Sequence, residues 1–218
     1  MTSAARAPRS LVWAGAVVFV VAVGLVLLMV VRPSAASPSG AGTTRVSAGA
    51  PAESSADVGF ARDMSVHHQQ AVEMAFIVRD RTDDEDVRRL AYDIINTQAN
   101  QRGMMLGWLD AWDMPKSSEG PPMEWMGHPA TATDGALMPG MATDAQLDRL
   151  RAAEGRAAEV LFLHLMTVHH RAGADMARAA AASASTDEIR ELAAGMARAQ
   201  ESEIALMADM LEARGANP

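Results

Sequence analysis

The sequence predicts an all-α chain: a four-helix bundle made of two duplicated helical hairpins joined by a long crossing connection, with an N-terminal transmembrane helix ahead of it. Three observations lead there. Ala, Leu, Met, Arg and Glu dominate while aromatic residues make up only 4%, a helical composition. From Phe60 onward the chain superimposes on itself without a gap at a shift of 102 residues, placing Phe60 on Phe162. Apolar residues recur at the three-and-four spacing of amphipathic helices, and no segment reads as a strand.

Taken in order, residues 1–10 carry Arg6 and Arg9, and Leu11 to Val31 are apolar without a charge. A run of about 20 apolar residues spans a bilayer as helix. Positive charge before the span places residues 1–10 in the cytoplasm and the rest outside. A cleaved signal peptide is the competing reading: its apolar region is typically about 7–15 residues, and Ala35 and Ala36 supply small residues downstream. The anchor at 11–31 is the reading adopted, a single-pass cell-membrane protein with an extracytoplasmic C-terminal domain; cleavage would make the same domain secreted. Residues 32–56, rich in Ser, Ala, Gly and Pro, have no apolar periodicity and form a flexible linker.

The bundle is expected over 57–214, with repeat 1 at 57–112, the crossing loop at 113–142 and repeat 2 at 143–214. The register holds through His67-His68 on His169-His170, Met74-Ala75 on Met176-Ala177, Arg88 on Arg190, Gln98 on Gln200 and Leu109 on Leu211. Thr82 to Glu85, Thr143 to Gln146 and Ser185 to Glu188 each place a hydroxyl three residues before Glu or Gln, the capping-box signature. Helices are therefore expected near 57–81, 84–112, 144–182 and 187–214. Hairpins whose apolar stripes cannot be buried alone pack as a bundle. The Pro- and Gly-rich connection is long enough to cross it, and such loops are often functional.

At about 100° per residue, Met64, His67, His68, Ala71, Met74 and Ala75 share an arc of roughly 120°, the apolar face of their helix. Met166, His169, His170, Gly173, Met176 and Ala177 repeat the arrangement, with a small residue in each copy beside the imidazoles. Four histidines converging with thioethers a turn away point to a metal site. Imidazole suits copper, zinc, iron and nickel, thioether selects copper(I), and a chain without cysteine has no other soft ligand. The ligand set expected is His67, His68, His169, His170, Met64, Met74, Met166 and Met176. Met123, Met126, His128, Met138 and Met141 in the crossing segment offer a second set, against which stands a surface loop whose methionines pack on the bundle end.

The competing account makes the histidines a buried polar layer, hydrogen-bonded to Gln98, Gln101, Gln200 and Glu203, in a structural or interaction module of the envelope. Other classes fall away. A carboxylate-bridged di-iron oxidase needs Glu-x-x-His motifs, and none occurs. There is no Gly-rich phosphate loop, nucleophile elbow or H-E-x-x-H, so no catalytic residue is assigned; an enzyme would have to work by redox turnover at a bound metal. The net charge of −8 comes with no Lys or Arg run in the exported part, which excludes nucleic acid. The partners expected are a metal ion and, through residues 11–31, the membrane; a second copy or an envelope protein is left open.

The blocks DMSVHHQQAVEMA (63–75), MTVHHRAGADMA (166–177) and MPGMATDAQLDRL (138–150) resemble the signature blocks of the ferritin-like family known as domain of unknown function 305. The resemblance covers nearly all of 57–214. It implies an exported or membrane-anchored helical bundle, with copper binding and resistance among the family's roles. It places His67, His68, Met64, Met74 and their repeats on the family motif. Gln69-Gln70 becomes Arg171-Ala172 in the second copy, so the halves differ beside the motif.

Overall fold

The computed structural model describes residues 49–218. The expected membrane helix at 11–31 and most of the linker lie outside the described residues. Within them no helix is long and apolar enough to cross a membrane. The helices are α1 (Ala56–Arg79), α2 (Glu85–Ala111), α3 (Asp144–Ala152), α4 (Gly155–Ser183) and α5 (Asp187–Ala213), with a 3-10 turn at Glu124–Met126. No strand is present among the described residues, as expected.

The single helix expected at 144–182 is two. Ala153 and Glu154 are extended, and Gly155 takes φ +53°, a left-handed value that a side chain disfavours. Its N–H donates to the Arg81 carbonyl at 2.7 Å, so the break is held by the end of α1. The capping boxes also fare unequally. Thr143 forms the full reciprocal box with Gln146. Asp84 rather than Thr82 caps α2, accepting from Val87 N at 2.9 Å. Thr186 is the N-cap of α5 and makes no capping bond of its own.

That bond comes from the other repeat. The Asp57 carboxylate, at the start of α1, accepts from Ser185 N, Ser185 Oγ, Thr186 N and Thr186 Oγ1 at 2.7–3.2 Å. Glu159, 102 residues further on, occupies the equivalent place: it accepts from Thr82 Oγ1 at 2.6 Å and from Arg214 Nε at 2.7 Å. Each hairpin's turn is thus held by an acid at the start of the other hairpin's long helix, which sets α1 and α4 antiparallel. Arg88 and Arg190 donate to carbonyls of the turn before their own helices, at Thr82 and at Ala184 and Ser185.

α1 packs on α2, α4 on α5, and α1 and α4 on each other through the middle of the bundle. The core forms two apolar clusters. One gathers Met74, Ile94, Leu150, Phe162, Met166 and Met207; the other gathers Phe60, Met64, Met105, Leu109, Met176 and Met196. The motif histidines lie between them in sequence on both central helices. Three side chains of α1 bind the crossing segment. Arg62 Nε donates to Pro115 O at 2.7 Å, Asp63 accepts from Met123 N and Trp125 Nε1, each at 2.8 Å, and the Gln70 amide brackets the backbone of Ala142 at 2.7 and 2.8 Å. A Cβ on Gly140 would lie 2.3 Å from that of Ala172, so the loop crosses α4 where the second repeat carries a small residue. The Gln70-to-Ala172 difference therefore belongs to the loop, which occurs once, and not to the histidines.

Candidate metal centre

All four motif histidines are buried: His67, His68 and His170 are 0% exposed and His169 is 1%. The inward face deduced from the 3.6-residue period is the face the fold buries. The His67 and His169 rings stack at 3.7 Å between centroids with 30° between planes, and His169 and His170 are 6.2 Å apart. The two helices approach this closely because residue 173 is glycine. A Cβ there would lie 2.4 Å from Gln200 Oε1 and 3.1 Å from His67 Cε1.

Hydrogen bonds fix three of the rings. His68 Nε2 lies 2.9 Å from Gln101 Oε1, His170 Nε2 lies 2.5 Å from Glu203 Oε2, and His169 Nε2 lies 3.1 Å from the His67 carbonyl. Each partner is an oxygen acceptor, so each of these rings donates from Nε2. Their three Nδ1 atoms are buried without a partner, as are both nitrogens of His67 and the Oε1 atoms of Gln98 and Gln200. Burial pushes His67 and His169 well below the ordinary imidazole pKa, and neighbouring imidazoles add to the effect. His68 is pushed down to about 3, by burial first, against the opposing bond from Gln101. These three imidazoles are neutral at pH 7, the protonation state that binds metals.

The thioethers sit above and below this layer. Met64 and Met176 share one apolar cluster, and Met74 and Met166 share the other, all fully or almost fully buried. Met123 and Met138 are buried in the Met64 cluster, with Met126 and Met141 packed at its margin, whereas His128 is exposed and apart. The crossing segment thus packs its methionines into the bundle end. Trp125 lies across Gly59 and meets Phe60 edge-on at 6.0 Å, sealing that end. Among the described residues no group of three or more His, Asp and Glu side chains stands arranged to hold a metal ion. Glu73 and Asp175 face outward and pair with Arg151 and Arg178.

Sequence reasoning brought the four histidines together and anticipated the bonds from Gln101 and Glu203. It missed Asp57 and Glu159, although the repeat register aligns these two acids, and it missed Asp63 and Gln70 as the loop's anchors.

Solved structures share this architecture. A DUF305 protein from Streptomyces coelicolor is 60% identical, with a TM-score of 0.72 over 76% of this chain and 98% of that one. A DUF305 fragment from Deinococcus radiodurans is 29% identical, with a TM-score of 0.62 over 72% and 95%. CopM in a Cu(II)-bound form is 25% identical, with a TM-score of 0.56 over 72% and 95%. A search of proteins with curated functions gives no match. The model of the family described as domain of unknown function DUF305 matches residues 57–211, and the chain belongs to that family.

Proposed function

We propose that this bundle binds copper, as copper(I), through His67, His68, His169 and His170 with Met64, Met74, Met166 and Met176, and serves copper sequestration or delivery outside the membrane. One observation carries the reading: five imidazole nitrogens are buried with no hydrogen-bond partner. A buried polar atom left unpaired costs about 1–3 kcal/mol, so a layer kept only for structure would pair them. The polar-layer account explains the Nε2 atoms of His68 and His170 and leaves these five unexplained. Neutral imidazoles beside thioethers are a donor set for a soft cation. The stacked His67 and His169 rings would have to part for both to ligate. CopM, similar in fold at 25% identity, has been crystallised with Cu(II), and this likeness supports the choice of metal. The location rests on the apolar run at 11–31.

The test is copper(I) titration of the full-length chain under reductant with a competing chelator, beside a His67→Leu/His169→Leu variant. The copper reading expects binding tighter than the chelator, lost in the variant while its helical circular dichroism persists. Equal binding by both proteins, or none by the parent, would return the histidines to a structural role.

A further inference from the structure

The two halves of the histidine layer are related by the 102-residue repeat, and each half has the same construction: an imidazole whose Nε2 meets an oxygen on the neighbouring helix 33 residues later. The acceptors differ. In the first half it is the neutral amide of Gln101; in the second it is the carboxylate of Glu203, 2.5 Å from a fully buried ring. The groups hydrogen-bonded to the four imidazoles are the Gln101 amide, the His67 carbonyl and the Glu203 carboxylate, so Glu203 supplies the layer's one negative charge. A cation inside this buried layer needs a compensating charge close by, because burying an unpaired ion costs far more than burying a paired one. A carboxylate on the far nitrogen also makes the near nitrogen a more basic ligand and holds the ring's orientation.

We propose that the layer is two unequal half-sites, with His170 the first to take a soft monovalent cation through Nδ1 and Glu203 the positioning residue that makes it so, while the His68–Gln101 half fills second. This rests on the copper reading above. It assigns the difference between the repeats to position 203 against position 101, and not to the Gln69-Gln70 exchange beside the motif, since Gln70 is engaged by Ala142. A chain with one tight and one weaker half can hold an ion and still release it to an acceptor from the weaker half.

The experiment compares the full-length parent, Glu203→Gln, and a swap carrying Gln101→Glu with Glu203→Gln. Each is titrated with copper(I) against a chelator and followed by the imidazole 15N resonances. Glu203→Gln is expected to weaken the first binding step about 10–100-fold, the usual cost of losing such an outer partner. The swap should recover it to within a few-fold. In the parent, His170 Nδ1 should shift at lower copper than His68 Nδ1, and in the swap the order should reverse. Parent-like affinity in Glu203→Gln with an unchanged order, or simultaneous shifts of both rings in the parent, overturns the proposal and leaves the copper reading intact. A parent that binds no copper overturns both. Should Glu203→Gln fail to fold, the order of shifts in the parent and the swap still decides.

Discussion

At the scale of single residues, the centre is defined by which nitrogen each ring leaves free. His67 is the extreme case, since it is fully buried, stacked on His169, and bonded through neither nitrogen. Its replacement by Leu keeps a buried side chain of similar bulk and removes one orphan donor and one orphan acceptor. His67→Leu is therefore expected to stabilise the metal-free chain by about 1–3 kcal/mol, read from urea unfolding, while weakening copper binding. A loss of stability of that size would mean that His67 is satisfied in the native state. Gly173→Ala tests the same geometry from the opposite side. Its methyl would sit 2.4 Å from Gln200 Oε1 and 3.1 Å from His67 Cε1, so a cost of about 1–3 kcal/mol is expected from overpacking, with unfolding measured in the same way. Much of this was legible beforehand. The helical period alone places the histidines and methionines inward, and the duplication supplies four rings. The tautomers were not legible, because they depend on where α2 and α5 present Gln101 and Glu203, and that is set by packing between helices.

At the scale of elements, the helices follow from the sequence pattern, but their ends answer to distant partners. Thr82 reads locally as a cap and is instead drawn to Glu159, leaving Asp84 to cap α2. Gly155 reads as one glycine within a long helix, yet its N–H reaches the Arg81 carbonyl and the helix breaks there. Such departures require the antiparallel docking of α1 and α4, which no local signal encodes. Asp57 carries the most of it. Desolvation opposes its ionisation, but the bonds from Ser185 and Thr186 outweigh that and hold its pKa below the ordinary 3.8. Asp57→Ala would strip two backbone N–H groups and two hydroxyls at the start of α5, a loss of roughly 3–5 kcal/mol from a cap and charge-assisted bonds combined. Because the folded pKa is depressed, this contribution is present above about pH 3.8 and is lost as pH falls through the folded value. Chemical denaturation at pH 7 checks the size. A change below about 1 kcal/mol would show that the turn holds without the acid.

At the scale of the whole molecule, a layer of neutral imidazoles ties stability to acidity. His67, His68 and His169 all have folded pKa values below the unfolded 6.5. The unfolded chain therefore binds more protons than the folded one once pH drops below 6.5, and stability must fall with it. Each such group removes about 1.4 kcal/mol per pH unit below that point, until its own folded pKa is reached. Because each unfolded imidazole is already half protonated at 6.5, three together remove about 3 kcal/mol over the first full unit, a sizeable part of the 5–15 kcal/mol that holds a typical domain. Urea midpoints of the metal-free chain should thus decline steeply between pH 6.5 and 5, well above the range in which Asp57 acts. A flat profile there would mean that the native rings accept protons as readily as unfolded ones, and so are hydrated. Copper supplies the complementary slope. An ion held by the folded chain alone, at about 100 times its dissociation constant, adds about 2.7 kcal/mol. That gain should shrink as acid competes for the same lone pairs. Measured with and without copper across this range, the two curves should converge on acidification, because one set of ring nitrogens serves both the proton and the metal.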